Sequence, residues 1–281
     1  MNARPVAGAL RTPDGETLAL YDWPVDARRR RGVVLIVHGL GEHARRYMHV
    51  AGRLNEWGFA VRAYDHHGHG ASSGVRGGLP SADRLVEDLA RVVDHVRESD
   101  VGAPLVFLGH SLGGLVAADF VARQLRDVDA LVLSSPALDP GLSVLQKLLV
   151  TMLSRFAPGL RVGNGLDLAY LSHDRDVVDA YRKDPLCHDR ISARLARYLA
   201  DRGAVVQAAA PRWPVPTLLL YAGDDHLVEP AGSRAFAAAV PAALMSAECF
   251  PALYHEIFNE IDAARVFGAL QRWLDARIPG P

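Results

Sequence analysis

The chain of 281 residues is short of cysteine, of unbalanced charge and of long apolar runs, and each shortage narrows the field. Only Cys187 and Cys249 are present, far apart and without a CxxC pair, which suggests neither a disulfide framework nor a structural zinc site and suits a reducing compartment. Lys and Arg number 31 against 32 Asp and Glu, so no global field recruits nucleic acid or acidic lipid. The one basic run, Arg28 to Arg31, reads as a solvated loop. No window approaches the roughly 18 uninterrupted apolar residues of a spanning helix. The opening MNARPVAGALRTPDGE also lacks an apolar segment of signal-peptide length. The expectation is a cytoplasmic protein whose contact with a membrane, if any, is peripheral.

What is present is ample core material, with 49% hydrophobic and 22% charged residues, enough for one large domain with an insertion. VAGALRT and TLALYDW flank Pro13-Asp14-Gly15 and read as a hairpin. Short apolar runs then recur at Val33 to Val37, Phe59 to Asp65, Leu105 to Gly109, Ala130 to Ser135, Thr217 to Ala222 and Ser246 to Phe250. Parallel strands covered on both faces need such runs. Between them lie helical patterns, the clearest starting at Pro80-Ser81 with Leu85, Leu89, Val92, Val93 and Val96 on one stripe, and the last running from about Phe258 to Leu274. The alternation implies an α/β fold, a mostly parallel sheet with helices on both faces and ligands at the carboxyl ends of its strands. From about Pro140 to Pro211 no strand is expected, only helical segments, so residues 140–211 read as a helical lid inserted between core segments 1–139 and 212–281.

The strand ending at Gly109 runs into GHSLGG, a G-x-S-x-G motif between strand and helix. A serine on that sharp turn projects its hydroxyl from the sheet, and side chains at Gly109 or Gly113 would crowd it, so Ser111 is the candidate nucleophile. His110 is adjacent but diverges on a tight turn and reads as structural. In this architecture the acid and then the histidine follow the serine in the chain. GDDHLV, after a later strand, offers Asp224 and Asp225, and YHEIFNE offers His255, preferred over His226 because His226 belongs to the turn of the acids. The oxyanion hole would take the amides of Leu112 and, in the loop after the third strand, Leu40. DHHGHGASSG (Asp65 to Gly74) is rich in histidine. Its His67-Gly68-His69 lacks the further Asp and His of a metallo-β-lactamase pattern, and no acidic motifs precede it as in DHH phosphoesterases. It therefore reads as a polar turn, with no metal expected.

HGLGEHARRY, DHHGHGASSG, GHSLGG, SSPALD, LAYLSHDRDVVDAYRKDPLCHDR, YAGDDHLV and YHEIFNE stand in the order found in the monoacylglycerol lipase family of α/β-hydrolases, bacterial branch, and the chain resembles that family from about Val33 to Glu260. The resemblance implies the α/β-hydrolase fold, a lid over an apolar acyl tunnel, and cofactor-free hydrolysis of glycerol monoesters of fatty acids. It implies Asp225 as the orienting acid, because the family's acid is followed by a variable residue, then Leu or Ile, then Val or Cys. It also implies that Glu42, Arg46 and Tyr181 lie near the glycerol head group. Where mammalian members carry a second histidine, this chain has Phe258, so lysophospholipids, other long-chain esters or short acyl esters stay open as substrates.

In VLQKLLVTMLSRF, the residues Leu145, Leu148, Leu149, Met152, Leu153 and Phe156 share a helical face. Packing over the tunnel is the expectation for that face, and contact with a membrane the alternative. The partner expected is a small lipid ester rather than nucleic acid. A non-catalytic lipid-binding member of the fold, and other reactions such as acyl transfer on the same triad, are the competing readings.

Overall fold

β1 (Val6–Arg11) and β2 (Thr17–Trp23) form the expected antiparallel hairpin in the computed structural model, which describes residues 4–280. The apolar runs become β3 (Gly32–Val37), β4 (Phe59–Tyr64), β5 (Leu105–His110) and β6 (Ala130–Ser134). A separate short pair, β7 (Arg161–Gly163) and β8 (Arg190–Ser192), comes next, followed by β9 (Thr217–Ala222) and β10 (Met245–Phe250). The helices are α1 (Met48–Glu56), α2 (Arg84–Ser99), α3 (Leu112–Ala122), α4 (Val144–Phe156), α5 (Arg175–Lys183), α6 (Ala193–Ala209), α7 (Pro230–Ala239) and α8 (Ala263–Arg277).

The main sheet has the order β1-β2-β4-β3-β5-β6-β9-β10. β2 runs antiparallel to both of its neighbours, and every other pairing is parallel. Side chains alternate across a strand, and β3 shows the consequence. Val33, Leu35 and Val37 join one core with α2, α3 and α6, while Val34 and Ile36 join a second core with α1 and α8. All five are buried, as a strand covered on both faces requires.

Outside the insertion, three expectations need correction. α2 starts at Arg84, not at Ser81, because the Arg194 guanidinium takes the carbonyls of Leu79 and Pro80, and the first helical bond is Glu87 N to Asp83 O. α8 starts at Ala263, since Ile257–Asn259 forms a separate 3-10 turn and the Glu260 carboxylate is taken by the amides of Tyr254 and His173. The basic run is not a free loop: Arg31 bonds the carbonyls of Trp57 and Ile278 and the carboxylate of Asp275, and Arg30 pairs with Asp100.

Between β6 and β9 the chain leaves the sheet and folds as α4, β7, α5, β8 and α6. The β7–β8 ladder corrects the expectation of no strand there; it pairs Val162 with Ile191 in two segments of three residues, too short and too polar to carry a period. The insertion is tied to the carboxyl edge of the sheet. Tyr181 Oη and His188 N both donate to Gly41 O, at 2.9 and 2.8 Å, and Glu256 N donates to Leu171 O at 2.8 Å. α4 packs on α6 but leaves Leu145, Leu148, Met152 and Phe156 exposed, so tunnel packing describes only part of that face. Among the described residues no helix is long and apolar enough to cross a membrane.

Candidate active site

Ser111 stands between β5 and α3 with φ 53° and ψ −120°, a conformation that L-residues avoid and that marks strain held by the surroundings. Three backbone bonds of 3.0 Å clamp it: its amide donates to Ser134 O, and its carbonyl accepts from Leu115 N and Ala137 N. The flanking glycines are sterically required. A Cβ on Gly109 would lie 2.7 Å from Gly113 O, and one on Gly113 would overlap the carbonyls of Val37 and His38. His110 lines the same cavity as Ser111 and its ring lies 4.8 Å from that of His255; its Nδ1 is 3.1 Å from Ser134 Oγ, and burial pushes its pKa down to about 3.

The candidate acid and base, Asp225 and His255, follow the ends of β9 and β10. His255 Nδ1 lies 2.7 Å from Asp225 Oδ2, and Asp225 Oδ1 accepts from the amides of Leu227 and Val228 at 2.9 and 3.1 Å. Both side chains are buried, whereas that of Asp224 is 52% exposed and bonds His226 Nε2 at 3.1 Å. Burial works against the charged form of each partner, yet attraction reverses both shifts. The charge and hydrogen bond of His255 bring Asp225 below the usual carboxylate range, and Asp225, helped by the charges of Glu256 and Glu42, raises His255 above an ordinary histidine. His226 stacks on Tyr170 of the insertion, 4.1 Å between rings.

Leu40 and Leu112 both face the cavity that Ser111 and His255 line. Leu112 is the first residue of α3, so its amide lies outside the helical ladder, at the positive end of the helix. The loop bearing Leu40 is braced by Glu42. Its Oε1 accepts from Gly39 N at 2.6 Å and Tyr47 Oη at 2.7 Å, and its Oε2 accepts from Arg46 Nη1 at 2.6 Å. Arg46 also grips Glu256 with two bonds of 2.6 and 2.8 Å and lies over the Tyr181 ring. Burial opposes the Glu256 charge, but Arg46 outweighs it and brings this carboxyl down to about 2. Glu42, Tyr181 and Glu256 reach the cavity, while Arg46 stands behind that wall.

Glu256 went unnoticed in the sequence: next to His255 it looks like the start of a helix, and only its pairing with Arg46, 210 positions away, reveals it. Phe258 packs against Phe267 in the core and lies outside the cavity lining.

The cavity holds about 280 Å³, and most of its wall is apolar, with Leu142, Leu149, Leu166, Leu199 and Ile191 contributed by the insertion and its approach. Its polar lining includes Ser111, His110, His255, Glu42, Glu256 and Tyr181. Beneath the Leu40 loop lies the histidine-rich turn. Asp65 accepts from Ala44 N, Ala71 N and Tyr21 Oη, and His66 N donates to His38 Nε2 at 2.9 Å, so DHHGHG ties the segment after β3 to β2.

Residues 28–262 match the family model described as "Serine aminopeptidase, S33". A monoacylglycerol lipase of Mycolicibacterium smegmatis is 36% identical over 92% of this chain and 94% of its own length. A phospholipase of Bacillus subtilis is 31% identical over 91% of this chain and 100% of its own. Among solved structures, the monoacylglycerol lipase of Paleococcus ferrophilus superposes with a TM-score of 0.83 at 35% identity, covering 92% of this chain and 99% of that one. A soluble variant of the Saccharomyces cerevisiae monoglyceride lipase, crystallised with a substrate analog, shares the fold at a TM-score of 0.88 and 24% identity, over 98% and 96% of the two chains. A match spanning most of the sequence, on a sheet of this order, means that the chain belongs to this family of α/β-hydrolases and is a serine hydrolase.

Proposed function

We propose that the protein hydrolyses monoacylglycerols to glycerol and free fatty acid through an acyl-enzyme. Ser111 attacks the ester carbonyl, His255 takes its proton and delivers it to the departing glycerol oxygen, and Asp225 keeps the imidazole in the working tautomer. The Leu40 and Leu112 amides hold the oxyanion. Water then attacks the acyl-enzyme with His255 again as base, and no step needs a cofactor. The observation that carries this reading is the buried 2.7 Å His255–Asp225 contact, on the same cavity wall as a serine held at positive φ.

The choice of a lipid ester is supported by the mostly apolar wall and by the M. smegmatis relative. In this reading Glu42 and Tyr181 meet the glycerol hydroxyls, Arg46 sets Glu42 in place, and residues 140–211 act as the lid. The exposed face of α4 then makes peripheral contact with the lipid surface that supplies substrate. A lysophospholipid is the second candidate, favoured by the phospholipase relative. A panel of monoacylglycerols, lysophospholipids and nitrophenyl esters of graded chain length decides between them, with monoacylglycerol expected to give the highest kcat/KM. Labelling by a fluorophosphonate, lost in Ser111→Ala, is expected as well; an unlabelled wild type or an active Ser111→Ala overturns the mechanism.

A further inference from the structure

We propose that His43, Asp184 and Cys187 form a binding site for a zinc-like divalent ion, which pins the insertion to the loop after β3. One ring nitrogen of His43, one carboxylate oxygen of Asp184 and Cys187 Sγ all lie within 4.8 Å of one another. Nitrogen, oxygen and sulfur donors together suit a borderline-soft ion such as Zn²⁺ and not the oxygen-seeking Mg²⁺ or Ca²⁺. Bonds of roughly 2.0–2.3 Å in a tetrahedron put ligand atoms within about 4 Å of one another, so the trio closes by about an ångström and water takes the fourth position.

The local structure holds two of the ligands ready. Asp184 Oδ1 accepts from Leu186 N at 2.8 Å and Cys187 N donates to Asp184 O at 3.1 Å, which fixes both in one turn after α5. Asp184 Oδ2 lies 2.9 Å from His43 Nε2. His43 is buried; its Nε2 faces Asp184, whereas its Nδ1, on the other side of the ring, has no hydrogen-bond partner among the described residues. A cleft of about 450 Å³, lined by His43, Asp184 and Leu186 together with the cations Lys183, Arg45 and Arg46, reaches two of the three ligands. The positive charge of neighbouring Arg46 is already taken up by Glu42 and Glu256.

Burial pushes the Cys187 thiol up to about 12, so the metal-free protein carries Sγ–H, and forming the metal–sulfur bond releases that proton to solvent. His43 belongs to the loop that presents Leu40 and Glu42, and the other two ligands belong to the insertion, so the ion bridges lid and oxyanion loop.

Isothermal titration of the full chain with zinc chloride tests the site, with Cys249→Ser as control because Cys249 is the other free cysteine. One equivalent is expected to bind, Cys187→Ser to weaken binding about 100-fold or more, Asp184→Asn to weaken it at least about 10-fold, and Cys249→Ser to leave it unchanged. Cobalt should give a sulfur-to-metal charge-transfer band that Cys187→Ser lacks. No stoichiometric binding by the wild type, or binding that survives Cys187→Ser, overturns the site. The readouts are binding and the cobalt spectrum, so they stand apart from the esterase assignment.

Discussion

His255 Nδ1 lies 2.7 Å from Asp225 Oδ2, while Asp224, one residue earlier, directs its carboxylate to His226 on the exposed rim. Two neighbouring acids are thus separated by the turn: the Leu227 and Val228 amides draw Asp225 inward, and among the described residues Asp224 has only the exposed His226 contact. Asp225→Asn is expected to lower kcat about 10⁴-fold by favouring the wrong tautomer of His255. Asp224→Asn should leave turnover within about twofold, as an exposed substitution does. Steady-state rates on a soluble ester separate the two, and a mild Asp225→Asn beside a dead Asp224→Asn reverses the assignment.

The same pair sets the response to pH. His255 must be neutral to act as base, and its pKa is raised above 6.5, so kcat/KM of the free enzyme should climb with pH through a midpoint above 6.5. Removing the Asp225 charge by Asp225→Asn removes the main attraction that raises it, and the midpoint of the residual activity should fall. Stability follows the opposite sign for the two partners. The raised histidine stabilises the fold fully below 6.5 and loses that contribution as pH rises through its folded value. The depressed carboxyl stabilises above 3.8 and loses its contribution as pH falls. A midpoint at or below 6.5 contradicts this electrostatic account.

The sheet and the serine were legible because their signals are local. Apolar runs such as Val33 to Val37 and Thr217 to Ala222 have no other stable use, and Gly109 and Gly113 are demanded by backbone contacts within the turn itself. The candidate acid needed more than local pattern, since Asp224 and Asp225 are chemically alike, and the register of a family was what favoured Asp225. What stayed hidden rests on distant partners. The β7–β8 ladder exists because two segments of three residues meet, α2 begins late because Arg194 claims two carbonyls, and the outward face of α4 looks in sequence like any helix stripe with a core to cover.

Gly113 gives a direct test of the turn. A methyl there overlaps the carbonyls of Val37 and His38, which belong to the end of β3 and the start of the Leu40 loop. Gly113→Ala should therefore destabilise the fold by on the order of 3 kcal/mol and displace the oxyanion loop. Urea unfolding should show a lower midpoint at unchanged slope, together with a loss of turnover. Wild-type stability in Gly113→Ala means that the glycine is not sterically required.

The outward face of α4 can be tested without touching the cavity. Leu145 and Phe156 are 74% and 73% exposed, and neither they nor Leu148 lines the site. Replacing all three by serine should lower partitioning onto phospholipid vesicles about 100-fold, since each replacement withdraws roughly 1 kcal/mol of apolar burial in the lipid. Hydrolysis of a short soluble ester should stay unchanged. Flotation of the wild type with no vesicle-bound fraction removes the membrane role of this helix.

Arg46 joins two carboxylates that would otherwise repel one another inside the protein. Glu42, Glu256 and Arg46 are linked by three bonds of 2.6 to 2.8 Å, and each side chain is at most 11% exposed. Arg46→Met keeps the bulk and removes the charge, leaving Glu42 and Glu256 buried beside His255 without a cation. At neutral pH that should cost about 3–5 kcal/mol. The sign of the pH dependence follows from Glu256, whose carboxyl is depressed from 4.5 to about 2. Its stabilising contribution is complete above 4.5 and disappears as pH falls toward 2, so the gap between wild type and variant should narrow over that interval. Urea unfolding at about pH 7 and again near pH 3 measures the gap. A difference that stays constant across that span means that the contact of the Arg46 guanidinium with the Tyr181 ring, and not its pairing with Glu256, holds the loop.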